Sequence, residues 1–298
     1  MTVAVFALPE HRAAAKELAD ALAVPALTLD RHDFPDGEFK LTLGGIADVA
    51  IVHMTLDRPN DKLVALLLAS EALRRNGARR LVLVAPYLCY MRQDIAFHPL
   101  EAISQKVLGR LLAPAFDRIV TVDAHLHRTA TLAAVFPGIE ADDLTATGVL
   151  AEALVAAGVD PRSVIVGPDV ESEPWVRSVA DRLGLAHAVG RKTRRGDRDV
   201  AVVFDRPEEI AGCPVVLVDD VIASGGTLLT AAAALRAAGA TSIDVVATHA
   251  LWPPEMDARF AEAGIRSLRS TTSVPHPSNV VSLTPLLAAA LRREVVGA

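Results

Sequence analysis

Two adjacent carboxylates, Asp219 and Asp220, stand directly after four apolar residues, Val215-Val216-Leu217-Val218. A run of small residues follows, Ala223-Ser224-Gly225-Gly226-Thr227, and then a helical apolar face at Leu228, Leu229, Ala232 and Leu235. A helix N-terminus preceded by glycines presents bare backbone N–H groups and the positive end of the helix dipole, so it favours a phosphate. Ser224 and Thr227 add hydroxyl donors. The two acids would repel a phosphate; they suit vicinal hydroxyls, a divalent cation, or both. A phosphate loop beside a diol-binding acid pair makes a pocket for a ribose 5-phosphate moiety. The plainer alternative is a tight strand-to-helix turn with acids for solubility. Paired acids directly after an all-apolar strand count against it, because they cost desolvation unless solvated or paired.

The elements that position this stretch follow one plan. Apolar strands alternate with amphipathic helices along the chain, the pattern of an α/β fold with mainly parallel sheets flanked by helices. In the first half, strands are expected over residues 3–8, 26–29, 49–53, 81–85 and 118–122, and helices over 9–22, 60–75 and 103–112. His32-Asp33-Phe34-Pro35-Asp36-Gly37-Glu38 reads as a turn. In the second half, strands are expected over 163–167, 185–189, 200–204, 215–218 and 242–249, with helices over 173–183 and 286–293. The basic run 191–198 reads as a connecting loop.

An internal repeat relates the halves. Ala72-Leu73-Arg74-Arg75-Asn76-Gly77-Ala78 matches Ala234-Leu235-Arg236-Ala237-Ala238-Gly239-Ala240 at an offset of 162, from 234 − 72. Carried backwards without a gap, the offset sets Asp57 opposite Asp219, since 57 + 162 = 219. Two similar domains are expected, residues 1–145 and 146–298, of which only the second keeps the sugar-phosphate loop. At 298 residues the chain is long enough for both. It is 51% apolar and 22% charged, normal for a folded soluble enzyme. A net charge of −6 argues against a general nucleic-acid binder. No uncharged apolar run reaches membrane-spanning length. Cys89 and Cys213 form no metal or disulfide motif, and no basic leader is visible, which together point to the reducing cytoplasm.

With these pieces placed, the chain resembles the ribose-phosphate pyrophosphokinases nearly end to end. The resemblance rests on Phe34-Pro35-Asp36-Gly37-Glu38, Pro86-Tyr87 through Arg92-Gln93-Asp94, Asp123-Ala124-His125, Pro168-Asp169, Lys192-Thr193-Arg194 and the 219–227 loop. It implies two phosphoribosyltransferase-like domains and transfer of the diphosphoryl group of ATP to ribose 5-phosphate, giving 5-phosphoribosyl 1-pyrophosphate and AMP. It further implies that Phe34, Asp36 and Glu38 hold adenine for a neighbouring subunit, and that Arg92 and Gln93 contact ATP. His125 and Asp169 would be ligands of the ATP-bound Mg²⁺, while His127 is given a structural or surface role. Lys192 and Arg194 would stabilise the transferring group from a mobile loop. Asp219, Asp220, Ala223, Ser224, Gly225, Gly226 and Thr227 would bind ribose 5-phosphate. A homo-oligomer is expected, a dimer at least and a hexamer in common members, with no nucleic-acid or membrane partner.

Two stretches depart from the family pattern. After Asp169 the chain reads Val170-Glu171-Ser172 where the family carries glycines. After Asp94 it reads Ile95-Ala96-Phe97-His98-Pro99-Leu100 where the family is rich in Lys and Arg. These departures are the features that favour a non-catalytic regulatory paralogue as the alternative. A phosphoribosyltransferase is a further alternative, opposed by the duplicated half and the Lys-x-Arg motif.

Overall fold

The computed structural model describes residues 1–194 and 200–296, with side chains described for all of these except 192–194, 200 and 201. Two compact units result: Met1–Leu144 together with Leu283–Ala298, and Thr145–Ser282.

In the first unit the order is β1 (Val3–Ala7), α1 (Arg12–Leu22), β2 (Ala26–Asp33), β3 (Phe39–Leu43), β4 (Val49–His53), α2 (Pro59–Arg75), β5 (Arg80–Ala85), α3 (Ser104–Leu112), β6 (Arg118–Val122), α4 (Leu132–Val135) and β7 (Glu140–Leu144). Its seven strands lie in the order β3-β2-β1-β4-β5-β6-β7. Only the outer β2/β3 pair is antiparallel. Every residue of β1, β4 and β6 is buried, as continuous apolar runs in a parallel sheet require.

The second unit runs α5 (Thr147–Ala156), β8 (Val164–Gly167), α6 (Glu173–Leu183), β9 (Ala186–Arg194), β10 (Val200–Phe204), α7 (Pro207–Ile210), β11 (Pro214–Ile222), α8 (Gly226–Ala237), β12 (Ser242–Ala250), α9 (Met256–Glu262), β13 (Ile265–Thr271) and β14 (Asn279–Val281). Its sheet order, β10-β9-β8-β11-β12-β13-β14, repeats that of the first unit strand for strand. Again only the outer pair, β9/β10, is antiparallel. Identical topology supports the duplication inferred from the repeat.

The ungapped alignment does not survive. Val49 lies level with Arg80 across β4/β5, and Pro214 level with Ser242 across β11/β12. Arg80 and Ser242 differ by 162, but Val49 and Pro214 differ by 165. Three residues are therefore inserted between strand and helix in the first unit, and Met54 and Thr55, not Asp57, occupy the places of Asp219 and Asp220 (54 + 165 = 219). The same region holds the first turns of a longer helix. Both helices end at the 162 offset, yet α2 has 17 residues and α8 has 12. Lys62 folds back to donate to the Thr55 carbonyl at 3.0 Å and to Asp57 Oδ1 at 2.6 Å. The twin of the phosphate loop is thus filled by its own chain.

The last helix, α10 (Thr284–Val296), packs with α1 in the first unit. The sequence reading carried the second domain to residue 298; the compact units place 283–298 with the first. Leu287, Ala288 and Leu291 are buried on its apolar face. Glu294 accepts from Arg80 Nε at 2.6 Å and from Arg118 Nη1 at 2.9 Å. An amphipathic helix at a chain end carries no local signal of which sheet it will cover; this buried ion network selects the first.

Candidate active site

In the second unit the strand order turns outward in both directions from the β8/β11 pair, and ligands of open parallel sheets bind at the carboxyl ends of the strands at such a point. Asp169 follows β8, and both Asp219 and Asp220 lie within β11. The apolar run therefore continues past the acids instead of ending before them; Val221 and Ile222 still pair with His249 and Ala250 of β12. β11 pairs with β8 up to Leu217 and Val166, and just beyond that pairing Asp219 feels the charges of both Asp220 and Asp169.

Three carboxylates thus converge. Asp220 is buried and Asp219 half-buried. Burial first, and then the charges of Asp220 and Asp169, hold the Asp219 carboxyl well above the usual carboxylate range. Such a cluster is relieved by hydroxyl donors or by a hard cation with oxygen ligands.

Next to the acids, Gly225 enters α8 in the left-handed region at φ 75°, and no side chain caps the helix. The first intrahelical bond recorded from this end is Leu229 N to Gly225 O at 3.0 Å. The N–H groups of the first turn therefore face outward from the helix end, as an anion requires. Gly225 is needed twice over. A side chain there would be strained by the positive φ, and its Cβ would lie 2.5 Å from Phe260 Cζ of α9. Ser224 and Gly226 are exposed, while Ala223 and Thr227 are half-buried. All seven residues assigned to the sugar phosphate are brought together on β11 and the start of α8.

The segment after Asp169 is a short 3₁₀ turn, Val170–Ser172. Asp169 Oδ1 accepts from Glu171 N at 3.2 Å, and its carbonyl accepts from Ser172 N at 3.2 Å and from Ser172 Oγ at 2.5 Å. Two N–H groups that a glycine loop would leave for a diphosphate are turned inward to Asp169. Asp169 is at once a cap and a member of the acid cluster.

Arg191 through Arg194 are not in a loop. Their backbone belongs to β9, with Lys192 level with Val202 and Arg194 level with Val200 of β10. The side chains of Lys192 and Arg194, and residues 195–199, lie outside the described residues.

In the first unit, Phe34, Asp36 and Glu38 sit at the exposed tip of the β2/β3 hairpin. Phe34 N donates to Glu38 O at 2.8 Å, Asp36 Oδ1 accepts from Glu38 N at 3.1 Å, and Gly37 supplies the positive φ of 90°. Phe34 packs edge-on to His32 at 5.0 Å. The Arg92 side chain is exposed. Gln93 is tied down, its Oε1 accepting from Ser104 Oγ at 2.5 Å at the start of α3.

His125 follows β6, and His127, expected in a structural or surface role, packs its ring against that of His125. The two rings meet edge to face with centroids 3.6 Å apart, and His127 Nε2 lies 3.1 Å from His125 Nδ1 and against His125 Nε2. Asp94, Asp123 and Asp143 anchor this segment, a role not assigned from sequence. Asp123 N donates to Leu144 O at 2.7 Å, Ala124 N to Asp143 Oδ1 at 2.8 Å, and Arg128 to Asp94 from both its backbone and its guanidinium. The available signal was the spacing of an acid beside each loop, which acquires meaning only through long-range pairing.

Residues 3–115 match the N-terminal domain of ribose phosphate pyrophosphokinase, and residues 150–279 match the phosphoribosyl transferase domain. The first match falls within the first unit and the second within the second. The ribose-phosphate pyrophosphokinase of Methanopyrus kandleri is 31% identical over 289 residues, covering 96% of this chain and 98% of that one. The enzyme of the same name from Granulibacter bethesdensis is 34% identical over 301 residues, covering 97% and 96%. The crystal structure of phosphoribosylpyrophosphate synthetase from Mycobacterium smegmatis aligns over 100% of both chains with a TM-score of 0.85 and 28% identity. Duplicated sheets, an acid pair leading into an uncapped helix and relatives spanning the whole chain agree on one assignment. The chain belongs to the ribose-phosphate pyrophosphokinase family.

Proposed function

We propose that this protein transfers the diphosphoryl group of ATP to the anomeric hydroxyl of ribose 5-phosphate, forming 5-phosphoribosyl 1-pyrophosphate and AMP. The observation that carries the reading is the run from the acid pair of β11, one half-buried and one buried, into the uncapped, glycine-opened end of α8. Asp219 and Asp220 accept from the ribose 2- and 3-hydroxyls, and the first turn of α8 with Ser224 and Thr227 holds the 5-phosphate. The anomeric oxygen forms a bond to the β-phosphorus as the bond from that phosphorus to the oxygen bridging to the α-phosphate breaks. AMP leaves with the electron pair, and the proton of the anomeric hydroxyl is released to solvent.

Such a transfer depends on positioning and on neutralising spreading charge. Lys192 and Arg194 take the second role, and Arg92 and Gln93 contact ATP. Asp169 beside the β11 acids offers the oxygen ligands that Mg²⁺ prefers, and His125 in the first unit is a further contact for the ATP-bound metal. When bound, Mg²⁺ neutralises the phosphate oxygens. Phe34, Asp36 and Glu38, at the tip of an exposed hairpin, reach adenine in a neighbouring copy of the chain, so the active form is a homo-oligomer, a dimer at least. Among the described residues no helix is long and apolar enough to cross a membrane. Two free cysteines and an ATP-dependent reaction suit the cytoplasm.

The test is incubation with ATP, Mg²⁺ and ribose 5-phosphate while AMP and 5-phosphoribosyl 1-pyrophosphate are followed. Stoichiometric appearance of both is expected. A folded protein that binds ATP tightly yet releases no AMP with any pentose phosphate overturns the reading.

A further inference from the structure

His125, Leu126 and His127 lie in an irregular segment that follows β6, and all three are half-buried. Leu126 packs against the apolar core of the first unit. The rings of the two histidines flanking it meet. The segment is clamped at both ends. On one side Asp123 N and Ala124 N are bonded to Leu144 O and Asp143 Oδ1. On the other, Arg128 is held by the buried Asp94, with Arg128 Nη1 3.0 Å from Asp94 Oδ1, and Thr129 Oγ1 donates to Gln105 Oε1 at 2.8 Å. The imidazoles are therefore fixed by the fold and are not two exposed side chains that happen to touch.

Their ring nitrogens converge. His127 Nε2 is 3.1 Å from His125 Nδ1 and also lies against His125 Nε2. Each histidine offers a ligand nitrogen, and these atoms lie close enough together to be held by one cation. Two imidazoles are a donor set for borderline divalent ions such as Mn²⁺ and Co²⁺, whereas Mg²⁺ prefers oxygen and retains its waters.

We propose that His127 is a second metal ligand beside His125, and that the pair makes this protein select a borderline divalent cation, Mn²⁺ or Co²⁺, over Mg²⁺ at that position. The inference rests on the reading of His125 as a metal ligand. It adds a residue and a metal preference that this reading lacks. Selectivity follows from the second nitrogen: each imidazole gained favours Co²⁺ over Mn²⁺, and both over Mg²⁺.

The test uses metal alone, without nucleotide or sugar, so that its outcome is separate from diphosphotransfer. Calorimetry with Co²⁺, Mn²⁺ and Mg²⁺ on the full chain is combined with visible absorption of the Co²⁺ form and nitrogen couplings in pulsed electron paramagnetic resonance of the Mn²⁺ form. The intact protein is expected to bind Co²⁺ at least about tenfold tighter than Mg²⁺ and to show couplings from two imidazoles. His127→Ala should remove one coupling and about tenfold or more of the Co²⁺ affinity while changing Mg²⁺ affinity little. His125→Ala should remove the other coupling. Equal affinity for Co²⁺ and Mg²⁺ in the intact protein, or unchanged Co²⁺ affinity and couplings in His127→Ala, overturns the proposal. If His127→Ala weakens all three metals equally and leaves a single-imidazole signal as in the intact protein, His127 only positions His125, which also overturns it.

Discussion

Replacing Gly225 with alanine tests how the phosphate end of α8 is built. Gly225 has φ 75°, and a side chain in that region costs about 1–2 kcal/mol. The added Cβ would also lie 2.5 Å from Phe260 Cζ, 2.7 Å from Phe260 Cε1 and 2.9 Å from Met256 Cε. Phe260 is fully buried on α9, so it has no free space to swing into, and overpacking of this kind costs about 1–3 kcal/mol. The sum is roughly 2–5 kcal/mol, about a 4–20 °C fall in the melting temperature of the unit that contains it. Because the strain sits at the N-cap, the outward N–H groups move with it, and the KM for ribose 5-phosphate should rise far more than the KM for ATP. Thermal denaturation and initial rates on Gly225→Ala, Phe260→Leu and the double variant separate the two costs. In the Phe260→Leu background the steric share should vanish and the backbone share remain, leaving about 1–2 kcal/mol for Gly225→Ala. A Gly225→Ala protein with unchanged melting temperature and unchanged KM for ribose 5-phosphate refutes the reasoning. So does a double variant with no recovery.

The raised Asp219 carboxyl means that ionising it opposes folding: the native state binds its proton more tightly than the unfolded chain, and stability falls as pH rises towards the folded pKa. Asp219→Asn should therefore stabilise the sugar-free protein by about 1 kcal/mol at neutral pH, a gain that shrinks on acidification, while losing about 2 kcal/mol of ribose 5-phosphate binding; melting curves across pH and the KM check both signs. In the first unit, burial, and then the neighbouring His11, pushes the pKa of His53 down from 6.5 to about 4. The stability it contributes is present above pH 6.5 and lost progressively as pH falls to about 4, amounting to about 3 kcal/mol. His53→Leu should flatten that part of the stability profile in chemical denaturation across the same window; an unchanged slope would show that His53 is solvated or paired in solution.

Much of this protein was readable locally. The strands 118–122 and 200–204 and the helix 173–183 coincide with β6, β10 and α6. Long apolar runs and a 3.6-residue period survive any tertiary context. β7 and β13 escaped notice because Glu140-Ala141-Asp142-Asp143-Leu144 and 265–271 carry polar or charged residues through their length, and β14 because it has only three residues, 279–281. They are strands because a neighbouring strand presents a free edge. The basic run 191–194 looked like a loop for the same reason, and its pairing with β10 makes it part of β9.

By itself the sequence determined the fold class, the duplication and the acid–glycine pocket, because periodicity, adjacency and glycine placement are properties of a few consecutive residues. The tertiary structure decided what depends on residues far apart in the chain. It brought the ring of His127 against that of His125, and it bound α10 to the first sheet through Glu294. It moved the twin of Asp219 from Asp57 to Met54 through strand register, and it aimed two N–H groups of 170–172 at Asp169. Each of these is set by which surfaces remain open once the sheets have formed, and that is information no short stretch of chain contains.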